Sequence, residues 1–283
     1  MSSPSFRLAM AGAGFVAGAA LVYAYRIYNK KPSIDVRVVA EKEAMGAAAA
    51  AFTAKHVNAA IAKKGYARVI VATGASQFDF IASFIKMPVD WSKVTFFHLD
   101  EYCDLPATHG ASFRKYLKER LFDKLSPQPK EVHYLDPAKI KQYEASLAAD
   151  DIDVACIGIG ENGHIAFNDP PPGGADFSDP VLVKKVELDE ACRKQQLGEG
   201  WFASMSEVPT HAITQTVPAI MRCKVISCVV PDARKAVAVK DTMTKPISTA
   251  CPATILRTHP ATTLWLDEHA ASLLPAGAPH KKE

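Results

Sequence analysis

The chain has 283 residues, 48% hydrophobic and 22% charged, the balance of an ordinary globular protein. A chain of this size buries a large core without needing disulfides or structural metals. The formal net charge of +3 is too small to argue for a nucleic-acid partner, and much of the excess sits near the ends, in Arg26, Lys30, Lys31, Lys281 and Lys282.

Residues 1–31 differ from the rest. Leu8 to Tyr25 carries no charge, is rich in Ala, Gly and Val, and is flanked by Arg7 on one side and Arg26, Lys30 and Lys31 on the other. Its length is near the minimum for a spanning helix, and Gly14 and Gly18 form a small-residue face. It is read as a hydrophobic helix that anchors the chain in a membrane, the alternative being a disordered or surface-lying N-terminal helix. The basic flank then keeps the remainder, residues 32–283, on the cytosolic side, at the mitochondrial outer membrane or another membrane, and otherwise in the cytoplasm.

From residue 32 onward the pattern alternates. Glu41 to Lys64 is alanine-rich and predicts a long helix ending at Gly65. Ala67 to Ala72 predicts a buried strand, Thr73 to Ser76 a turn and Gln77 to Lys86 a helix. A strand is expected over Val94 to Leu99, a helix over Ser112 to Leu125, a short strand over Glu131 to Leu135 and a helix over Ala138 to Ala149. The apolar run Ile152 to Ile159 is a further strand. Val181 to Leu188 follows as a strand and Asp189 to Leu197 as a polar helix. Ile213 to Met221 leads into the strand Lys224 to Val230. The helix Ala233 to Thr242, the strand Thr262 to Leu266 and the helix Glu268 to Leu274 close the pattern. Such alternation predicts one α/β domain, a single doubly wound, Rossmann-like and mostly parallel sheet with helices on both faces. Ligands then bind beyond the carboxyl ends of the strands. The six cysteines form no C-x-x-C pair and no zinc spacing, and Cys156 and Cys228 lie in apolar strands as core residues.

Three loops at strand ends carry residues suited to chemistry. Thr73-Gly74-Ala75-Ser76 joins a strand to a helix and can offer N–H groups and hydroxyls to an anion, or simply make the connection. Asp100-Glu101-Tyr102 puts two acids at a strand end, as a general base or as a turn cap. Gly158-Ile159-Gly160-Glu161-Asn162-Gly163-His164-Ile165-Ala166-Phe167-Asn168-Asp169 puts a titratable histidine and a carboxylate on a glycine-rich loop. Asp169 can orient His164, which otherwise is a structural histidine.

Together these loops resemble the glucosamine-6-phosphate deaminase (isomerase) family, which carries T-G-S-T-P, M-D-E-Y and G-x-G-x-D-G-H-I-A-F-N-E-P in this order. The likeness runs from about Val38 to Leu274. It continues in Val208-Pro209-Thr210-His211-Ala212-Ile213-Thr214, Arg234-Lys235-Ala236 and Cys251-Pro252-Ala253-Thr254-Ile255-Leu256. It implies conversion of glucosamine 6-phosphate and water to fructose 6-phosphate and ammonia, with no cofactor and a small-molecule sugar phosphate as partner. By the same resemblance, His164 opens the sugar ring and Asp100 takes the C2 proton. Thr73, Gly74, Ala75, Ser76 and Lys235 hold the phosphate, and Arg193 falls where the family carries a substrate-contacting arginine. The likeness is compatible with a homo-oligomer.

This chain departs from the pattern at several positions. Asn162 stands where the family has an acid two residues before the histidine, and Asp169 replaces a glutamate. The phosphate loop is T-G-A-S-Q, and Gln215-Thr216-Val217-Pro218 replaces a glycine-rich stretch. An amide cannot stabilise an imidazolium by charge, so His164 depends on Asp169 or on Glu161. Replacing Asn162 by Asp is expected to keep or raise activity. Two other functions compete: a 6-phosphogluconolactonase-type hydrolase, and a catalytically weak sugar-phosphate-binding protein.

Overall fold

The computed structural model describes residues 34–198, 200–276 and 280–282. In chain order the first elements are β1 (Asp35–Val39), α1 (Lys42–Lys64), β2 (Ala67–Val71), α2 (Phe78–Phe84), β3 (Val94–His98) and β4 (Asp100–Tyr102). Next come α3 (Phe113–Arg120), β5 (Glu131–His133), α4 (Ile140–Ala148), β6 (Val154–Ile157), β7 (Val183–Glu187) and α5 (Glu190–Gly198). The last are β8 (His211–Gln215), α6 (Val217–Met221), β9 (Val225–Val230), α7 (Ala236–Thr244), β10 (Thr262–Asp267), α8 (Glu268–Ala271) and β11 (Lys281–Lys282).

Eight strands form one sheet in the order β11-β1-β10-β9-β6-β2-β3-β5, and every pairing in it is parallel. Its central strands are apolar on both sides, and the alternation sorts them into two cores. Ile70, Phe97, Ala155, Cys228 and Leu264 point to one core. Val69, Phe96, Cys156, Val229 and Trp265 point to the other. Period-two alternation with both faces buried is the sequence signature of a sheet covered by helices on each side. All six cysteines are free and buried.

One prediction needs refinement. The Asp-Glu-Tyr segment does not extend β3. It forms β4, which pairs antiparallel with β8, and β8 pairs antiparallel with β7, making a separate three-stranded sheet. Short polar strands give no periodic signal strong enough to separate them from loop. This small sheet has its own aromatic core of Tyr102, Phe113, Phe167 and Phe202. Leu99 joins the two sheets: its N–H donates to Val71 in the large sheet, and its carbonyl accepts from Gln215 in the small one.

The expectation of a membrane anchor, and with it of a membrane partner and a membrane-bound location, is corrected here. Among the described residues no helix is long and apolar enough to cross a membrane. The segment on which the expectation rested, residues 8–25, lies outside the described residues.

Alanine content makes α1 a strong helix, and Gly65 ends it with a left-handed backbone (φ 84°) whose N–H caps Ile61. Gly46 in this helix has a different cause. A methyl there would stand 2.6 Å from the backbone of Asp79, so α1 and α2 touch almost backbone to backbone. Gly46→Ala should therefore destabilise the fold by about 1–3 kcal/mol, although alanine is the better helix former. Urea unfolding of the variant checks this, and a more stable variant would show that the helices part freely.

Candidate active site

The loops after β2, β3, β6 and β9 open on the same end of the parallel sheet and line one cleft of about 580 Å³, counting its open mouth. Thr73, Gly74, Ala75 and Ser76 form one wall. Gly74 has a positive φ of 96°, which leads the chain into the helical turn at Ala75–Gln77 just ahead of α2. Tyr116 fixes this loop by donating from its hydroxyl to the Gly74 carbonyl at 2.9 Å. Lys235, in the turn after β9, is buried and lines the same cleft. Hydroxyls, a helix start and a buried ammonium give this end the chemistry that suits an anion.

Asp100 stands on the opposite side. Its carboxyl lines the cleft and is 7% exposed. Burial, reinforced by the neighbouring charges of Glu101 and Asp169, pushes its pKa up to about 8. Glu101 is saturated with donors. It accepts from Tyr102 N, Ser112 Oγ, Phe113 N and Arg114 N at 2.8–3.1 Å, with Arg114 Nε a further 3.4 Å away. It thereby caps the start of α3. The adjacent acids divide their work: one fastens the helix, and the other faces the cleft without a hydrogen bond or ion pair among the described residues.

His164 closes the floor. Its ring lies against Gly160, where a methyl would come within 2.2 Å of it, so only glycine leaves room for the imidazole. Nδ1 stands 2.8 Å from Asp169 Oδ1 in a close but bent contact. Burial works against ionisation of Asp169. The imidazole and the donors from Asn162 and Cys192 outweigh it and hold the carboxyl below its ordinary pKa. Asn162 does not reach the imidazole. Its Nδ2 donates to Asp169 Oδ1 at 3.0 Å, and its Oδ1 accepts from the His164 backbone N–H at 3.0 Å. An aspartate there would lose the donor and face a second carboxylate, so the expected gain from Asn162→Asp is withdrawn. Glu161 does not support His164 either, being 3.6 Å from Arg234.

The candidate residues are mostly brought together, with one exception. Arg193 is turned away from the cleft lining, and its guanidinium donates to the carbonyls of Met205 and Val208 at 2.8 and 2.9 Å. Gln195 and Gln196, on the same helix, line the cleft instead, and sequence reading passed them over. The available signal was their spacing. Cys192, Gln195 and Gln196 stand at i, i+3 and i+4, one face of α5. Asn168 was also missed as a part of the site. Its buried amide donates to Ile165 O at 2.8 Å and Gln215 O at 2.9 Å, tying the histidine loop to β8.

His164, Asp169 and Cys192 bring nitrogen, oxygen and sulfur atoms within 4.8 Å of one another. Ligands on one tetrahedral zinc sit roughly 3.3 Å or more apart, given bonds near 2.0–2.3 Å. The 2.8 Å contact between His164 and Asp169 is shorter, so the trio as it stands does not have the spacing of ligands on one such ion.

An anion receptor facing a high-pKa carboxyl and a carboxylate-backed histidine, at the carboxyl end of a doubly wound sheet, defines an enzyme class that moves protons on a small phosphorylated substrate. Residues 40–168 match the family of glucosamine-6-phosphate isomerases and 6-phosphogluconolactonases. The glucosamine-6-phosphate deaminase of Bacillus thuringiensis (strain Al Hakam) is 40% identical over 210 residues, 72% of this chain and 76% of that one. The deaminase of Bacillus anthracis (strain A0248) matches to the same extent. A monomeric glucosamine-6-phosphate deaminase superposes with a TM-score of 0.77 at 28% identity, covering 85% of this chain and all of the other. The 6-phosphogluconolactonase of Trypanosoma brucei shares the fold, with a TM-score of 0.70 at 17% identity over 86% of this chain and 99% of the other. The chain belongs to the glucosamine-6-phosphate isomerase/6-phosphogluconolactonase family.

The elevated pKa of Asp100 has a consequence for stability. In the folded protein the carboxyl holds its proton up to about pH 8, whereas the unfolded chain releases it near the ordinary 3.8. This contribution is full below pH 4 and is lost as pH rises through 8. Asp100→Asn lacks the penalty. Its melting temperature should exceed the wild type's at pH 8 by more than it does at pH 4. Thermal melts at both pH values decide it, and a constant gap would contradict the assigned environment.

Proposed function

We propose that this chain, through a catalytic domain spanning residues 32–283, is a glucosamine-6-phosphate deaminase, converting glucosamine 6-phosphate and water to fructose 6-phosphate and ammonia. The observation that carries the reading is the cleft. An anion receptor and two separate proton-handling groups, Asp100 and the His164–Asp169 pair, line or back the same space.

The chemistry follows from those positions. The phosphate sits against Thr73, Gly74, Ala75 and Ser76, with Lys235 supplying positive charge. His164 moves a proton at the ring oxygen and opens the sugar, and Asp169 and Asn162 hold its loop and ring. Asp100 then removes the C2 proton, giving an enediol-type intermediate that carries the amine at C2. The proton returns at C1, and water attacks the resulting C2 imine, releasing ammonia and leaving the ketone. A carboxylate of ordinary pKa would be a weak base for a C–H proton. Raising the pKa to about 8 makes Asp100 a better one, at the expense of its ionised fraction at neutral pH. Arg193 acts from behind, bracing the segment around Met205 and Val208 that closes over α5.

The test is to incubate the full chain with glucosamine 6-phosphate and follow ammonia and fructose 6-phosphate. Turnover should rise with pH through an apparent pKa near 8. Asp100→Asn should lower exchange of the C2 proton by at least about 100-fold while phosphate binding stays nearly intact. No deamination, together with hydrolysis of 6-phosphogluconolactone, would overturn the proposal.

A further inference from the structure

Two adjacent glutamines of α5 reach the cleft, and each is tied by its oxygen to a different wall. Gln195 Oε1 accepts from the Glu161 N–H of the histidine loop at 3.1 Å. Gln196 Oε1 accepts from the Tyr102 hydroxyl at 2.7 Å. Tyr102 is 1% exposed and belongs to the aromatic core of the small sheet, so the oxygen of Gln196 is held in place. Gln196 is itself only 6% exposed, yet it lines the cleft. A primary amide carries an acceptor at one end and two N–H donors at the other. The acceptor end serves Tyr102. The donor end, Nε2, has no hydrogen-bond partner among the described residues and is not sealed from solvent. Fastening α5 to the small sheet needs only the oxygen. The nitrogen is left as a fixed, neutral donor opening on the cleft. Asp100 and Tyr102 are two residues apart on β4 and share a face of it. The amide pinned to Tyr102 therefore stands on the Asp100 side, across from the Thr73-Gly74-Ala75-Ser76 loop and Lys235.

We propose that Gln196 is a substrate-contacting residue, its Nε2–H donating to a sugar oxygen on a carbon next to C2, the carbon that Asp100 deprotonates. The inference rests on the deaminase reading for the identity of the sugar, but not for the donor itself. A phosphate held by the Thr73-Gly74-Ala75-Ser76 loop and Lys235 leaves its carbon chain to run toward Asp100, and the C1 and C3 oxygens flank the reacting carbon. Either is an acceptor that an amide N–H serves. A neutral donor also adds no charge beside Asp100, whereas a cation in its place would favour the carboxylate and weaken it as a base. The titratable groups around Asp100 are Glu101 from its own strand and His164 and Asp169 from the histidine loop, with Lys235 across the cleft. A site that donates to a substrate oxygen rejects a ligand lacking it, because the donor is then left unpaired.

The experiment compares Gln196→Met and Gln196→Glu with wild type in the full chain, each checked for folding by thermal melt. Methionine keeps the length and removes both polar ends. Glutamate keeps an oxygen for Tyr102 and removes the donor. The first readout is calorimetric binding of glucosamine 6-phosphate and of inorganic phosphate, in an Asp100→Asn background that stops turnover. Gln196→Met should weaken the sugar phosphate roughly three- to tenfold and leave inorganic phosphate unchanged. With 3-deoxyglucosamine 6-phosphate, the effect vanishes if the partner is the C3 hydroxyl and persists if it is the C1 oxygen; either result supports the contact. The second readout is turnover with Asp100 intact. Both variants should lower kcat/KM, and Gln196→Glu should also raise the pH midpoint of the rate, because a carboxylate then faces Asp100. Unchanged sugar binding in Gln196→Met, equal weakening of sugar phosphate and inorganic phosphate, or an unmoved pH midpoint in Gln196→Glu overturns the proposal. If the wild-type chain fails to deaminate the sugar, the deaminase reading falls, and the calorimetry still decides whether Gln196 meets the sugar.

Discussion

The buried amide of Asn168 sets the geometry on which the site depends. It donates twice, to Ile165 within its own loop and to Gln215 in β8. The Phe167 N–H adds a bond to Thr214 Oγ1 at 3.1 Å, and Thr214 is the residue that pairs with Asp100. Two buried hydrogen bonds therefore connect the histidine loop, which leaves the large sheet, to β8, the strand paired with the one that carries Asp100, and the third ties the loop to itself. Each lies in a dry interior, where leaving a partner unpaired is costly. They hold His164 and Asp100, which come from different sheets, in one fixed arrangement at the cleft.

Charge placement explains the second level of organisation. Four carboxylates, Asp100, Glu101, Asp169 and Asp189, cluster near the cleft, yet they do not act alike. Glu101 and Asp189 spend their oxygens on backbone N–H groups at helix starts. Asp169 spends one on a histidine. Only Asp100 is left facing the cleft, and it is the one whose pKa is driven upward. Identical chemistry at the side chain thus yields helix cap, histidine partner and cleft-facing acid, sorted by which donors reach each oxygen.

Much of this was legible in the sequence. Apolar runs of strand length flanked by helical segments gave the parallel sheet, because burial on both faces erases the polar residues that would blur the pattern. The three strand-end loops were legible because glycine, histidine and acids are unusual there. The small antiparallel sheet was not legible, since three residues of Asp-Glu-Tyr carry no period and their partner strand lies more than a hundred residues away. Asn162 was misread for a related reason. The sequence presents an amide where an acid would be expected, which looks like a deficit. Only the distances reveal that its N–H₂ serves Asp169 and its oxygen serves the loop backbone. Arg193 and the two glutamines beside it reverse roles for a geometric reason: helical rotation, invisible in a linear string, decides which of them meets the cleft.

Leu99 spans the two sheets with a single peptide unit on either side, its N–H in one ladder and its carbonyl in the other. The Thr73-Gly74-Ala75-Ser76 loop and the His164 loop are built on the large sheet, and Asp100 is built on the small one. The cleft is thus shared between two sheets, with Asp100 alone of its acids contributed by the smaller one. A substitution in the small sheet can therefore change the acid that faces the cleft while leaving the Thr73-Gly74-Ala75-Ser76 and His164 walls where they stand.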